Sequence, residues 1–299
     1  MKLLVAGAKG MLAGDVRRVG ERAGHDLILV GLPELDITDE QAVVAFYERE
    51  QPQATINCAA WTDVDGAETH REAAQAVNAE GAGNLARAAA AIGTPLLHIS
   101  TDYVFDGAAP LDAAGRPRPY LESDPTGPQS VYGETKLAGE RQVLGASRAH
   151  TVVRTAWLYG IDGPNFVATM LRLASEREAV QVVDDQVGSP TWSGHLAPAI
   201  VGLLERGVSG LVHLTGAGSV SWNGFAKEIF RQAEVDCRVE AIASSQMARP
   251  APRPAFSVLE TEREDVLPMW PWQDGLAGYL AARAGMTHSW KPMDGIMHS

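Results

Sequence analysis

The chain has 299 residues, of which 45% are hydrophobic and 21% charged. It is long enough for one large α/β domain with a smaller lobe, and its apolar content excludes global disorder. Its 25 Lys+Arg against 37 Asp+Glu give a net charge of −12, which argues against a bulk polyanion binder such as a nucleic-acid protein. Cys58 and Cys237 make no disulfide framework or zinc spacing, and the eight histidines show no metal-ligand pattern. No apolar run is long enough for a signal peptide core or a membrane span, so a cytoplasmic location is expected.

Short apolar runs at 3–6, 27–30, 54–60, 95–100 and 151–154 are bounded by turn residues, as buried parallel strands are. Helical spacing lies between them at 10–23, 39–50, 72–92 and 130–145. This alternation predicts an α/β fold, a Rossmann-type doubly wound parallel sheet. Residues 1–154 are expected to form the main domain of this sheet. Residues 155–299 are expected to be mainly a smaller substrate-binding lobe, with part of 189–220 returning to the first domain. Within that region, 180–183 and 210–214 read as strands and 164–177 and 222–235 as helices. The proline-rich 248–254 reads as an extended segment, and the residues from about 286 are expected to fray.

Gly7-Ala8-Lys9-Gly10-Met11-Leu12-Ala13-Gly14 follows the first strand and opens the first helix. Glycines at such a turn let a pyrophosphate approach the helix N-terminus, where free N–H groups and the macrodipole favour anions. Gly7, Lys9, Gly10, Met11 and Leu12 are therefore cofactor-binding candidates. The second strand ends in Val30-Gly31-Leu32-Pro33, with neither the acid that selects NADH nor the base that selects NADPH, so both remain open. Lys9 and Arg17 are basic candidates for a phosphate, or solvated surface cations. Asp36 and Ile37 are candidates to lie against adenine, with Asp36 equally suited to a turn. After the third strand, Ala59, Ala60 and Thr62 are small enough to floor a cofactor site or simply to pack.

Tyr132-Gly133-Glu134-Thr135-Lys136 puts a phenol and an ammonium at i and i+4 on one helix face. The lysine is expected to lower the phenol's pKa toward the working range and to hold the nicotinamide ribose, which makes Tyr132 a general acid. Thr101, in Ser100-Thr101-Asp102-Tyr103-Val104-Phe105 after the fourth strand, is placed to donate to the same carbonyl oxygen.

Together these motifs resemble the extended short-chain dehydrogenase/reductases, and within them the dTDP-4-dehydrorhamnose reductase family. The resemblance also runs through Asn57–Asp65, Lys136–Glu140, Arg154–Gly160, Asn165-Phe166, Asp185–Thr191 and Arg253-Pro254. It implies an NADPH- or NADH-dependent reduction of the C4 ketone of a dTDP-4-keto-6-deoxysugar, most readily dTDP-4-dehydro-L-rhamnose. It implies that Thr101, Tyr132 and Lys136 are catalytic and that Thr101, Tyr103, Trp157 and Asn165 line the sugar–nucleotide cleft, while Arg253 is inferred to pair with the substrate diphosphate. A monomer or homodimer is expected, with no nucleic-acid or membrane partner. Some members hold magnesium through glutamates, but here Asp15 and Trp192-Ser193-Gly194-His195 occupy those positions, so no metal is expected. Val258 stands where some relatives have arginine, which leaves the sugar open. Relatives of the same superfamily also include nucleotide-sugar epimerases and dehydratases, and non-catalytic regulatory subunits of the methionine adenosyltransferase β type.

Overall fold

The computed structural model describes residues 1–285, so the segment expected to fray lies outside the described residues. The first half runs β1 (Lys2–Ala6), α1 (Met11–Arg22), β2 (Asp26–Val30), α2 (Glu40–Glu50), β3 (Ala54–Asn57), α3 (Val64–Thr69), α4 (Arg71–Gln75), α5 (Ala82–Ala91), β4 (Leu96–Thr101), α6 (Val131–Ala146) and β5 (Thr151–Thr155). Then follow β6 (Leu158–Tyr159), α7 (Phe166–Ala174), β7 (Ala179–Val183), β8 (Val187–Gly188), β9 (Thr191–Trp192) and α8 (Ser193–Glu205). The described chain ends with β10 (Gly210–His213), β11 (Val220–Ser221), α9 (Trp222–Gln232), β12 (Arg238–Ile242) and α10 (Trp272–Arg283).

Six strands form one sheet in the order β10-β5-β4-β3-β1-β2, and every pairing is parallel. The chain steps from β1 outward to β2 and then returns to β3 on the opposite side of β1. That reversal opens a crevice at the carboxyl ends of β1 and β3, where ligands of such sheets bind. β10 joins the sheet beside β5, so the chain after residue 155 contributes a strand to it.

Strand periodicity divides the core. Leu3 and Val5 face a cluster with Leu12 and Val16 of α1 and Leu196 and Ile200 of α8. Leu4 and Ala6 face the other side, with Val43 and Phe46 of α2 and Leu85 of α5. Helices thus cover both faces, the Rossmann-type arrangement expected. A third core, with Tyr159, Val167, Phe225 and Trp272, lies in the second half of the chain.

Three local expectations need correction. The run 54–60 stops being a strand at Asn57, because Asn57 Oδ1 accepts the Ala59 N–H at 3.0 Å and turns the chain out of the sheet. The stretch 72–92 is not one α-helix: a π-helical segment, Ala76–Gly81, separates α4 from α5. There Asn78 accepts from Trp61 N–H at 2.8 Å and donates to Thr135 Oγ1 at 3.0 Å, tying the loop after β3 to α6. Lastly, β7 pairs in parallel with β12, a strand whose exposed, charged sequence gave no apolar signal.

Candidate active site

Gly7 sits at φ +80°, where an L side chain is strained, and an added Cβ would lie 2.6 Å from Ala59 N. The turns after β1 and β3 therefore touch, at the switch point of the sheet. Gly10 precedes α1 as its N-cap without a side-chain cap, so no side chain of the turn takes the first helical N–H groups. This bare cradle fits a dinucleotide pyrophosphate. Met11 is half-buried and faces Gly160, while Leu12 packs in the core with its backbone in the first turn. Ala59 and Ala60 are half-buried beside this turn, and Thr62 is exposed.

Lys9 reaches along the crevice and donates to the Leu32 carbonyl at 2.8 Å, just past β2. Its ammonium therefore lies where the adenosine ribose is read in such folds. Arg17 is exposed on α1. Asp36 is exposed and accepts from both the N–H and the hydroxyl of Thr38, closing a turn. Ile37 is buried in the core beside Gly81. For this pair the turn and packing roles are the ones observed.

Thr101 ends β4, and its hydroxyl donates to Asp102 Oδ1 at 3.0 Å while accepting the Tyr103 N–H at 3.3 Å. Ser130 caps α6 by accepting the Gly133 N–H at 3.2 Å. Gly133 is required there because a Cβ would lie 2.2 Å from the Tyr103 carbonyl oxygen. This close approach brings Tyr132 onto Tyr103, their rings edge to face at 5.5 Å. Burial pushes the Tyr132 phenol up to about 12, with the neighbouring Thr101 hydroxyl opposing the rise and the Asp102 charge adding to it.

The lysine-acidified phenol expected from the sequence is not what the structure holds. Lys136 extends to the sheet, where its ammonium donates to the Ile99 carbonyl at 2.6 Å and lies 3.2 Å from His98 Nε2. His98 Nδ1 in turn meets the Asn57 amide at 3.0 Å. Burial lowers Lys136 to about 8, partly offset by Glu140, and holds His98 well below its ordinary value. Desolvation of two buried groups outweighs their shared helix face. His98 and Asn57 thus belong to the site's polar frame. The sequence signal for His98 is an ionisable residue within a short buried strand, between Leu97 and Ile99.

Beyond Tyr103 opens a cavity of about 710 Å³, lined among others by Phe166, Gln186, Trp222, Arg249 and Arg253. That volume suits a ligand of nucleotide size. Arg253 reaches this wall, but its guanidinium is held by Asp65 through two bonds of 2.9 Å. Trp157, at φ +47°, stacks on Trp222 at 3.5 Å. Asn165 is the N-cap of α7, accepting the Ala168 N–H at 2.9 Å and donating to the Gly160 carbonyl at 2.8 Å. Asp102, Arg249 and Trp222 join the site without a role legible in the sequence, except that Asp102 is an acid between Thr101 and Tyr103. At the first helix, Asp15 accepts from Ser193 Oγ at 2.5 Å and from Arg18.

The family model described as RmlD substrate binding domain matches residues 1–284. The chain belongs to this family. A dTDP-4-dehydrorhamnose reductase from Streptomyces griseus is 43% identical to it over 292 residues, covering 94% of this chain and 94% of its own. A dTDP-4-keto-6-deoxy-D-glucose reductase from Streptomyces niveus is 43% identical, over 86% of this chain and 87% of its own. The crystal structure of a dTDP-4-dehydrorhamnose reductase from Bacillus anthracis, in complex with NADP, superposes with a TM-score of 0.89 at 36% identity. It covers 94% of this chain and 99% of the other. No helix among the described residues is long and apolar enough to cross a membrane.

Proposed function

We propose that the chain uses NADPH or NADH to reduce the C4 ketone of a dTDP-4-keto-6-deoxysugar, dTDP-4-dehydro-L-rhamnose before others. The observation that carries this is the meeting of Thr101 and Tyr132 between the bare Gly7–Gly10 turn and the cavity beyond Tyr103. Identity of 43% to the reductase from Streptomyces griseus supports the substrate class.

A reduced nicotinamide supplies hydride to C4 when bound. The residues of the chain do the rest. The first turn of α1 receives the pyrophosphate, with Lys9 toward the ribose. Tyr132 gives its phenolic proton to O4 as that oxygen gains charge, a task for which a phenol that keeps its proton at neutral pH is suited. Thr101 stands against the same oxygen. Lys136, beside Tyr132 on α6, offers its ammonium to the nicotinamide ribose. The cavity takes the nucleotide as a remote handle whose binding aligns the sugar. On this reading residues 1–154 carry the cofactor, and the rest of the chain mainly the substrate.

The test incubates purified protein with dTDP-4-dehydrorhamnose and each reduced nicotinamide. Stoichiometric loss of the reduced cofactor with formation of dTDP-rhamnose is expected. Conversion without net cofactor loss would point to epimerase or dehydratase chemistry. Turnover only of dTDP-4-keto-6-deoxyglucose would move the chain toward the activity named for the Streptomyces niveus relative.

A further inference from the structure

A threonine hydroxyl has one hydrogen and two lone pairs. At Thr101 the Tyr103 N–H already fills one lone pair, at 3.3 Å. The hydrogen points to Asp102 Oδ1, 3.0 Å away. As long as Asp102 is an acceptor-only carboxylate, Thr101 has no hydrogen left for the substrate oxygen or for a Tyr132 phenolate. The other carboxyl oxygen, Oδ2, is buried without a well-formed hydrogen bond among the described residues, although the Ser257 hydroxyl, also without one, faces the carboxyl. Asp102 as a whole is 2% exposed. A carboxylate with an orphaned oxygen in such a place is costly, and a neutral acid there is much less so.

We propose that Asp102 is a positioning residue that works as the neutral acid: its hydrogen goes to Thr101 Oγ1, and the single Thr101 hydrogen turns toward Tyr132 and the ketone oxygen. The hydroxyl is then saturated, accepting from Tyr103 N–H and Asp102 and donating once into the site. This role deepens the reductase reading and rests on it.

The surroundings agree. Burial pushes the Asp102 carboxyl up to about 6, against hydrogen bonding from Ser257 and Thr101. The groups that face it are the Tyr103 phenol on its own turn, the Tyr132 phenol from α6 and the Ser257 hydroxyl from the segment after the prolines. Ser257 Oγ is itself buried without a well-formed hydrogen bond. Arg249 and Arg253 act on Tyr103, one residue further out, and hold it down without reversing its rise by burial. No proton leaves Asp102 in this step. Tyr132 gives its proton to the sugar oxygen, the Thr101 hydrogen then bonds the Tyr132 phenolate, and Tyr132 regains its proton from solvent once product leaves.

The experiment compares full-length wild type, Asp102→Asn, Asp102→Ala and Thr101→Val across pH. Wild-type kcat should decline as pH rises through the Asp102 pKa. Asp102→Ala should lower kcat by about tenfold to a hundredfold with little change in KM. Asp102→Asn, whose amide donates at any pH, should restore most of that loss and abolish the alkaline decline. In the Thr101→Val background neither change at Asp102 should matter. An alkaline decline that persists in Asp102→Asn, or an Asn variant as slow as the Ala variant, overturns the proposal. Infrared difference spectra between wild type and Asp102→Asn read the carboxyl without substrate. A protonated acid at about pH 5 supports the proposal, and a carboxylate there overturns it. This readout stands even if no dTDP-4-keto sugar is turned over, the result that would sink the reductase reading instead.

Discussion

Asp65 grips Arg253 through two parallel bonds of 2.9 Å, and the same carboxylate accepts the Ala251 N–H at 3.1 Å. The first turn of α3 is thereby fastened to the proline-rich segment that walls the cavity. Burial alone would raise the Asp65 carboxyl, but the bonds from Arg253 and Ala251 overcome it and hold it below its ordinary value. A carboxyl lowered in the folded state stabilises above its unfolded pKa and loses that contribution as pH falls through the folded one. The melting-temperature difference between wild type and Asp65→Asn should therefore be largest near neutrality and shrink in strong acid. Arg253→Ala should raise KM for the nucleotide sugar about tenfold while leaving NADPH binding nearly intact. Equal losses for both ligands would remove the clamp from substrate binding.

Tyr132→Phe keeps the ring against Tyr103 and removes only the hydroxyl. Turnover should fall by about 10²–10⁴-fold, with cofactor affinity within a few-fold of wild type. Single-turnover kinetics and NADPH titration check both halves. A variant within a few-fold of wild-type turnover would take the phenol out of the reaction.

Lys136 is lowered to about 8 by burial, so its ammonium prevails below that pH and is lost above it. If the ammonium holds the ribose, NADPH affinity should weaken as pH rises past 8. Lys136→Met should bind NADPH more weakly and show no such dependence. Isothermal titration at a series of pH values measures this directly.

Gly7→Ala places a Cβ 2.6 Å from Ala59 N at a backbone angle of φ +80°. The turns after β1 and β3 must part, at a cost of about 1–3 kcal/mol. NADPH affinity should fall by at least about tenfold, because the cradle no longer fits a pyrophosphate. Denaturant unfolding and cofactor titration test the two effects separately.

Glu140, on α6, accepts from Arg154 at 2.7 Å and 2.9 Å and from Ser100 at 2.5 Å. Both side chains of this ion pair are nearly inaccessible, at 4% and 3%. Glu140→Ala leaves the Arg154 charge buried and unpaired, so a loss of about 3–5 kcal/mol is expected in denaturant unfolding. A loss under about 1 kcal/mol, typical of a surface pair, would show that the pair does not anchor the catalytic helix to the sheet.

The sheet and the glycine turn were readable from residues because their causes are local. A buried parallel strand is a short apolar run, and a turn at positive φ requires glycine next to the run it ends. Gly7, Thr101 and Tyr132 could be placed on that basis, since strand ends and helix starts fix where they point. Trp157 and Asn165 are expected in the cleft from the family resemblance, and the fold gives them stacking and capping partners that no periodicity announces. β12 has no apolar signal because it stays largely exposed; what makes it a strand is parallel pairing with β7, 59 residues back in the chain from Glu240 to Gln181.

Linear order thus specified which elements form and which end of each carries reactive side chains. Folding alone settled who partners whom. Lys136 turns to Ile99 and His98 instead of the phenol, Arg253 meets an acid 188 positions away, and Asp102 comes to rest with one oxygen unmatched. The reason is that desolvation and long-range pairing depend on which surfaces are removed from water together, and three-dimensional packing determines that.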